Sequence, residues 1–246
     1  FLSKVASLLK FVKRVSTGKL KEYSLKDFPF EKEIDKNGGI NSAIKSNQSI
    51  LVQVVKEPIS TKGPRISSEL SIAGRYIVLV PFSDRISVSQ KIESREEKDR
   101  LKRLITSIRP KGFGVIIRTV AEGKKVAELD KDLQSLVDRW TAMCKKLQGA
   151  HHPSKVLSEL NRGASMIRDV FNDQFSGIHI DDETLYLQIK DYVQEIAPGK
   201  ESIVKFYDSK IPMYEKHGIE RQIKTSFGRT VSSSKGTYLV IEHTEA

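Results

Sequence analysis

The sequence is poor in the residues that build covalent staples and metal sites. It holds a single cysteine, Cys144, in 246 residues. That excludes an internal disulfide framework, and the helical apolar pattern around Cys144 reads as a core thiol in a reducing compartment rather than a nucleophile. No apolar run approaches the length of a membrane span, and the first residues lack the charged-then-apolar order of a secretory signal. The expectation is a soluble, cytoplasmic protein with no membrane partner. There is no Gly-rich nucleotide loop of Walker type, no nucleophile elbow and no metalloprotease helix. His151 and His152 are neighbours on a loop, poorly placed to share one ion, and no cysteine stands at ligand spacing, so no metal site is expected. Asp181 and Asp182 are adjacent and point apart, and Asp181 reads as a helix N-cap. No catalytic centre assembles from the residues present.

What the chain does have is positive charge. Lys and Arg number 42 against 31 Asp and Glu, a net charge of +11. Clustered cations release counterions from a phosphate backbone, which makes a polyanion the expected partner; plain solubility charge is the alternative. The chain is 38% hydrophobic and 30% charged, enough to bury a real core in one large or two to three small domains.

Periodicity places the elements. Val5, Leu8, Leu9, Val12 and Val15 recur at helical spacing with lysines between them, and Gly18 ends that helix. Residues 19–36 are irregular and read as a surface excursion, followed by a turn at Asn37-Gly-Gly39. Strands are expected at 50–55, 67–70 and 75–80, with 56–65 a loop whose prolines and glycine exclude regular pairing across it. Ser94 and Glu97 form a capping box that opens a helix to about Ile108, which Pro110 closes. A long helix follows, with Val126, Leu129, Leu133, Leu136, Val137, Trp140, Met143, Cys144 and Leu147 on one stripe. Trp140 reads as a core anchor in register with that stripe rather than a base-stacking platform. After a break at 149–153 come a helical pattern over 154–171, a strand at 178–180, and a helix capped by Asp181. A strand at 203–207, a helix over 213–225 and a strand at 237–241 complete an α/β alternation.

One stretch points to chemistry. Val115, Ile116 and Ile117 form a buried strand that delivers Arg118 and Thr119 at its end. A guanidinium can grip phosphate oxygens with two parallel hydrogen bonds while a threonine hydroxyl donates a third, an arrangement suited to a terminal phosphate. A strand-end arginine paired with a nearby carboxylate is the alternative.

Four segments occur in order: Lys62-Gly-Pro-Arg-Ile-Ser-Ser68, Ser71-Ile-Ala-Gly-Arg-Tyr-Ile-Val-Leu-Val-Pro81, Gly114-Val-Ile-Ile-Arg-Thr119 and Tyr238-Leu-Val-Ile-Glu-His-Thr-Glu-Ala246. Together they resemble the ribonuclease E/G family of bacterial endoribonucleases, and more closely its ribonuclease G branch, from about Ile50 onward. The resemblance implies a mixed α/β and β, multi-domain fold. Its parts would be an incomplete OB-fold RNA-binding domain over 1–68, an α+β 5′-sensor domain over 69–163, a ribonuclease-H-like portion over 164–228 and the truncated start of a deoxyribonuclease-I-like domain over 229–246. It assigns the RNA 5′-monophosphate to Arg118 and Thr119, with backbone near Gly74 and Val78 helping; the net charge and the basic loops of Lys62, Arg65, Lys124 and Lys125 in turn lead us to expect single-stranded RNA bound there. It implies an Mg²⁺-dependent endoribonuclease of ribosomal RNA maturation and messenger turnover, a homodimer or homotetramer at full length, with a zinc link. The metal-binding aspartates and the Cys-rich link of the family are expected beyond Ala246, so these residues alone are expected to bind RNA without cutting it. A freestanding RNA-binding or ribosome-associated module of the same ancestry is the alternative; a scaffold docking through the 126–147 stripe is a third reading.

Overall fold

The computed structural model describes residues 5–20, 23–30, 44–151, 153–172 and 174–243. The expected turn at 37–39, His152 and the last three residues lie outside them. The chain is mixed α/β, and contacts divide it into two units, Phe1–Asn161 and Arg162–Ala246.

The longest apolar stripe becomes the spine of the first unit. Helix α3 (Val126–Gln148) buries Leu129, Leu133, Leu136, Trp140, Met143, Cys144 and Leu147, a spacing of three and four that keeps them on one face. Val126, expected on the stripe, stands 43% exposed in the first turn. Helix α1 (Val5–Ser16) buries Val5, Leu8, Phe11, Val12 and Val15, and these residues from Leu8 onward share one core with α3 and with the sheet. Trp140 is 1% exposed at the centre: its indole N–H donates to the Tyr23 carbonyl (2.9 Å), and Phe113 meets it edge-on with ring centroids 5.7 Å apart. Burial pushes the Cys144 thiol well above its ordinary range, which leaves it inert as a nucleophile. Leu25 and Phe28 correct the expectation of a surface excursion, since both insert into this core. Apolar side chains scattered among charges with neither helical nor strand period carry too little pattern to announce that.

The sheet has the order β3 (Ile72–Ala73), β4 (Ile77–Pro81), β6 (Phe113–Ile117), β5 (Ile86–Val88). Strands β3, β4 and β6 are antiparallel neighbours, while β5 runs parallel to β6 and is joined to it through helix α2 (Arg95–Ile108). A parallel pair needs such a crossover. The short strands β3 and β5 were not expected; two or three residues are too few for alternation to register. Ser94 caps α2 by accepting from the Glu97 amide (3.2 Å), but the Glu97 carboxylate turns elsewhere instead of closing the expected box.

Residues 1–68 otherwise contribute, among those described, a hairpin of β1 (Gln53–Lys56) and β2 (Arg65–Ser67). The expected loop at 56–65 is its closed end: Lys56 pairs with Arg65 and Ile59 with Lys62, the irregularity between Val54 and Lys56 taking up the mismatch. Prolines at positions that need no ladder donor did not prevent this.

In the second unit, β7 (Ile178–Ile180) and β8 (Val204–Phe206) pair in parallel across helix α5 (Glu183–Ile196), whose Ile189 and Val193 are buried. Asp182, not Asp181, caps α5, its carboxylate accepting from the Leu185 amide at 2.6 Å. Helix α4 is confined to Arg162–Val170. Residues before it were expected to be helical, but Val156 and Leu157 pack against the first unit's core, and that tertiary contact overrides helical patterning. The expected helix over 213–225 is two, α6 (Met213–Lys216) and α7 (Ile219–Ser226), because Gly218 adopts a left-handed conformation between them. Strands β9 (Thr230–Ser232) and β10 (Tyr238–Val240) then form an antiparallel hairpin.

Trp140→Ala removes the ring that the first unit packs around, and a fully buried aromatic truncated to alanine costs about 3–5 kcal/mol. Denaturant unfolding followed by circular dichroism should show that loss. A midpoint unchanged from wild type would mean the core does not depend on this anchor.

Candidate anion-binding site

Alternation along β6 builds the site. Phe113, Val115 and Ile117 face the core, Ile116 is 43% exposed on the opposite face, and Arg118 continues that outer row in extended conformation. Register sets its neighbours. Val78 pairs with Ile116 and Ile116 with Ser87, while one step on the Arg118 amide donates to the Tyr76 carbonyl (2.8 Å) and the Ser89 amide to the Ile117 carbonyl (2.9 Å). Tyr76, Arg118 and Ser89 therefore lie in one row across three strand ends.

Arg118 Nη1 donates to the Gly74 carbonyl at 3.0 Å, which fixes the guanidinium over the turn between β3 and β4. Thr119 opens a single 3₁₀ turn, Thr119–Ala121, and its Oγ1 lies 2.9 Å from Ser89 Oγ. The structure thus brings together Arg118, Thr119 and Gly74, with the Val78 side chain one row away, half-buried. Lys124 joins them: its Nζ sits 5.5 Å from the Tyr76 ring centroid and 3.2 Å from Glu128 Oε1, and Arg75 stacks on the same ring at 5.4 Å. Lys125 is exposed at the start of α3, its amide donating to the Glu128 carboxylate (3.1 Å). Lys62 and Arg65 are exposed on the β1–β2 hairpin, a separate two-stranded sheet.

Two carboxylates organise the surroundings, one unmarked in the sequence and the other read there only as half of a capping box. Asp132 of α3 accepts from the amides of Arg75 (3.0 Å), Tyr76 (2.9 Å) and Ile77 (3.0 Å). A Cβ on Gly74 would fall 2.7 Å from Asp132 Oδ2, so the turn approaches the helix as only glycine allows. Burial pushes the Asp132 carboxyl above its usual range, while the three amides and the nearby Arg118 charge pull it back. A carboxylate close to Arg118, the partner that an ordinary strand-end arginine would have, is thus present, and its oxygens also accept from the backbone. The available signal was its position: 132 is three residues past Leu129 and four before Leu136, an acid on the buried side of the helix.

Glu97 is the second. Its oxygens lie 2.6 Å from both Nε and Nη2 of Arg100, and it also accepts from the Gly123 amide (2.8 Å), while Arg100 donates to the Lys124 carbonyl (3.1 Å). The start of α2 is thereby tied to the turn that follows Thr119. Among the described residues no three His, Cys, Asp or Glu side chains gather where they could hold a metal ion, so neither Mg²⁺ nor Zn²⁺ is assigned to any of them. No helix among them is long and apolar enough to cross a membrane.

The first unit is an α+β arrangement that sets a guanidinium and paired hydroxyls at the ends of two parallel strands, and the second is a small α/β unit. Comparison with known proteins places the chain. Residues 71–246 match the ribonuclease E/G family. Ribonuclease G of Haemophilus influenzae is 32% identical over 207 residues, covering 84% of this chain and 42% of that protein. Ribonuclease G of Escherichia coli is 31% identical over the same length and coverage, and ribonuclease E of a Nostoc species is 31% identical over 210 residues, covering 84% of this chain and 31% of that protein. The chain belongs to the ribonuclease E/G family, on its ribonuclease G branch. It spans 42% of the length of the ribonuclease G relatives it matches.

The Glu97 tie makes a pH prediction. Arg100 above all, with the Gly123 amide and against partial burial, holds the Glu97 carboxyl down to about 2 from 4.5. A carboxyl depressed in the folded state stabilises above its unfolded value and loses that contribution as pH falls through the folded one. Glu97→Gln should therefore melt below wild type by a steady margin at neutral pH, a margin that closes between pH 4.5 and about 2. Thermal melts of both proteins across that range test it; a gap independent of pH would show that the carboxylate's charge is irrelevant.

Proposed function

We propose that this chain is the RNA-gripping and 5′-end-recognising part of an endoribonuclease of RNA processing and decay, and that its ligand is single-stranded RNA carrying a 5′-monophosphate. The observation that carries this reading is the Arg118 guanidinium anchored on the Gly74 carbonyl beside the Thr119 hydroxyl. A guanidinium carries its N–H donors in a rigid plane, and the hydrogen bond to Gly74 holds that plane oriented rather than mobile, the condition under which a charge-assisted pair to phosphate is worth most. The Ser89 hydroxyl beside Thr119 supplies a second rotatable donor at the same edge. Tyr76, flanked by Arg75 and Lys124, offers an aromatic face and positive charge to the nucleotide behind the terminal phosphate. Lys62 and Arg65 on the exposed hairpin and Lys125 add sequence-independent contacts to the backbone of the strand. In this reading 1–68 belongs to an OB-type RNA-binding domain whose α1, Leu25 and Phe28 share the core of the sensor, 69–163 to the sensor, 164–228 to a ribonuclease-H-like portion and 229–246 to the opening of the nuclease domain. Hydrolysis itself uses Mg²⁺ held by carboxylates, and the described residues gather no such cluster.

The reading is tested with one oligonucleotide prepared with a 5′-monophosphate and with a 5′-hydroxyl. Loss of a charge-assisted contact costs about 1.5–3 kcal/mol, so Arg118→Ala should weaken monophosphate binding roughly ten- to a hundredfold and leave hydroxyl-ended RNA nearly unchanged. Arg118→Lys should recover little, since an ammonium keeps the charge but loses the fork. Affinity for both ends should fall steeply with salt. An Arg118→Ala variant that loses affinity equally for both ends would reduce Arg118 to a general backbone contact.

A further inference from the structure

Resting on the reading that Arg118 receives the terminal phosphate, we infer that Asp132, on the long helix, is the residue that positions the guanidinium. The geometry is a relay of hydrogen bonds. Three successive amides, those of Arg75, Tyr76 and Ile77, converge on one carboxylate at 2.9–3.0 Å. A run of convergent backbone N–H groups is a ready-made anion nest, and here a side chain of the protein fills it. The same segment is closed by the Gly74 amide donating to the Ile77 carbonyl at 2.8 Å, and its other end is held where Arg139 Nη1 donates to the Ala73 carbonyl at 3.0 Å. Asp132 and Arg139 are seven residues apart, two turns, so both reach the segment from one side of the helix. With residues 73–77 fixed at both ends, the Gly74 carbonyl has one direction, and it points to Arg118. Position of the guanidinium therefore depends on a helix packed in the core, not on a loop.

Two roles for Asp132 predict opposite signs. If it only balances the Arg118 charge, removing its own charge strengthens the local positive field and should tighten binding of a monophosphate. If it positions Arg118, removal should weaken that binding. Asp132→Asn keeps the shape and one carbonyl acceptor but sets an N–H₂ against backbone donors. Gly74→Ala keeps the charge and pushes Cβ within 2.7–2.9 Å of the carboxylate, so that either the carboxylate or the turn must shift.

The experiment measures, for wild type, Asp132→Asn, Gly74→Ala, the double variant and Arg118→Ala, the ratio of dissociation constants for 5′-hydroxyl and 5′-monophosphate forms of one oligonucleotide. Nitrogen-15 relaxation of the Arg118 Nε–H accompanies it, with Arg109, which donates to the Phe113 carbonyl at 2.6 Å, as internal control. The expected result is a roughly tenfold loss of end preference in Asp132→Asn and in Gly74→Ala, less than additive in the double variant, with greater mobility of Arg118 and unchanged mobility of Arg109. Tighter monophosphate binding in Asp132→Asn, or an Arg118 as rigid as in wild type, overturns the inference. If wild type itself shows no end preference, the phosphate reading fails; the relaxation data then still decide whether Asp132 fixes Arg118.

Discussion

The contact between the long helix and the turn before β4 is the constraint on which the candidate site depends. Helix α3 packs its apolar stripe into the core and, from the flank of that stripe, sends a carboxylate and a guanidinium to the backbone of 73–77. Packing and recognition are thus joined in one element. A core helix moves little relative to its sheet, because close-packed interiors do not deform continuously. A cation placed by that helix inherits its rigidity. Arg118 itself sits at the end of the central β6, and the turn that Arg118 leans on is held from below, so the site is defined by three separate stretches of chain meeting at one sheet edge.

Much of this was legible in the sequence where periodicity runs long. The stripe of α3 apart from Val126, the Ser94 cap and length of α2, the apolar face of α1 and the strand of β6 apart from the exposed Ile116 stand where their patterns put them, since each repeats over several turns or residues and is reinforced by burial. Arg118 and Thr119 drew notice because a cation and a hydroxyl after a buried strand are chemically conspicuous. Asp132 and Ser89 did not, because nothing local marks them. An acid in a helix and a serine after a strand acquire meaning only from what the fold sets opposite, in one case three amides 55 to 57 residues away and in the other a hydroxyl 30 residues away. Leu25 and Phe28 show the same limit for packing, and Asp182 shows it at the scale of one residue, where two adjacent acids could each cap a helix and the backbone selects one.

The two carboxylates also divide their labour. Asp132 is half-buried and bound to backbone, so it shapes the near side of the site; Glu97 is bound to Arg100 and to the Gly123 amide, so it shapes the turn beyond Thr119. A basic protein that recognises phosphate needs such acids. Without them, neighbouring cations would repel one another and splay, and the gain in positive potential would be lost as disorder. Lys124 between Glu128 and the Tyr76 ring is a smaller instance of the same balance.

The hairpin of β9 and β10 has a practical corollary. Val231, Tyr238, Leu239, Val240 and Ile241 are all at least half exposed, on a two-stranded ribbon with open edges. Unpaired N–H and C=O groups flanked by β-branched and aromatic side chains template the addition of further strands. Any preparation in which this ribbon stands uncovered is therefore a candidate for slow, concentration-driven self-association that begins at the ribbon, before the well-packed core of the first unit takes any part in it.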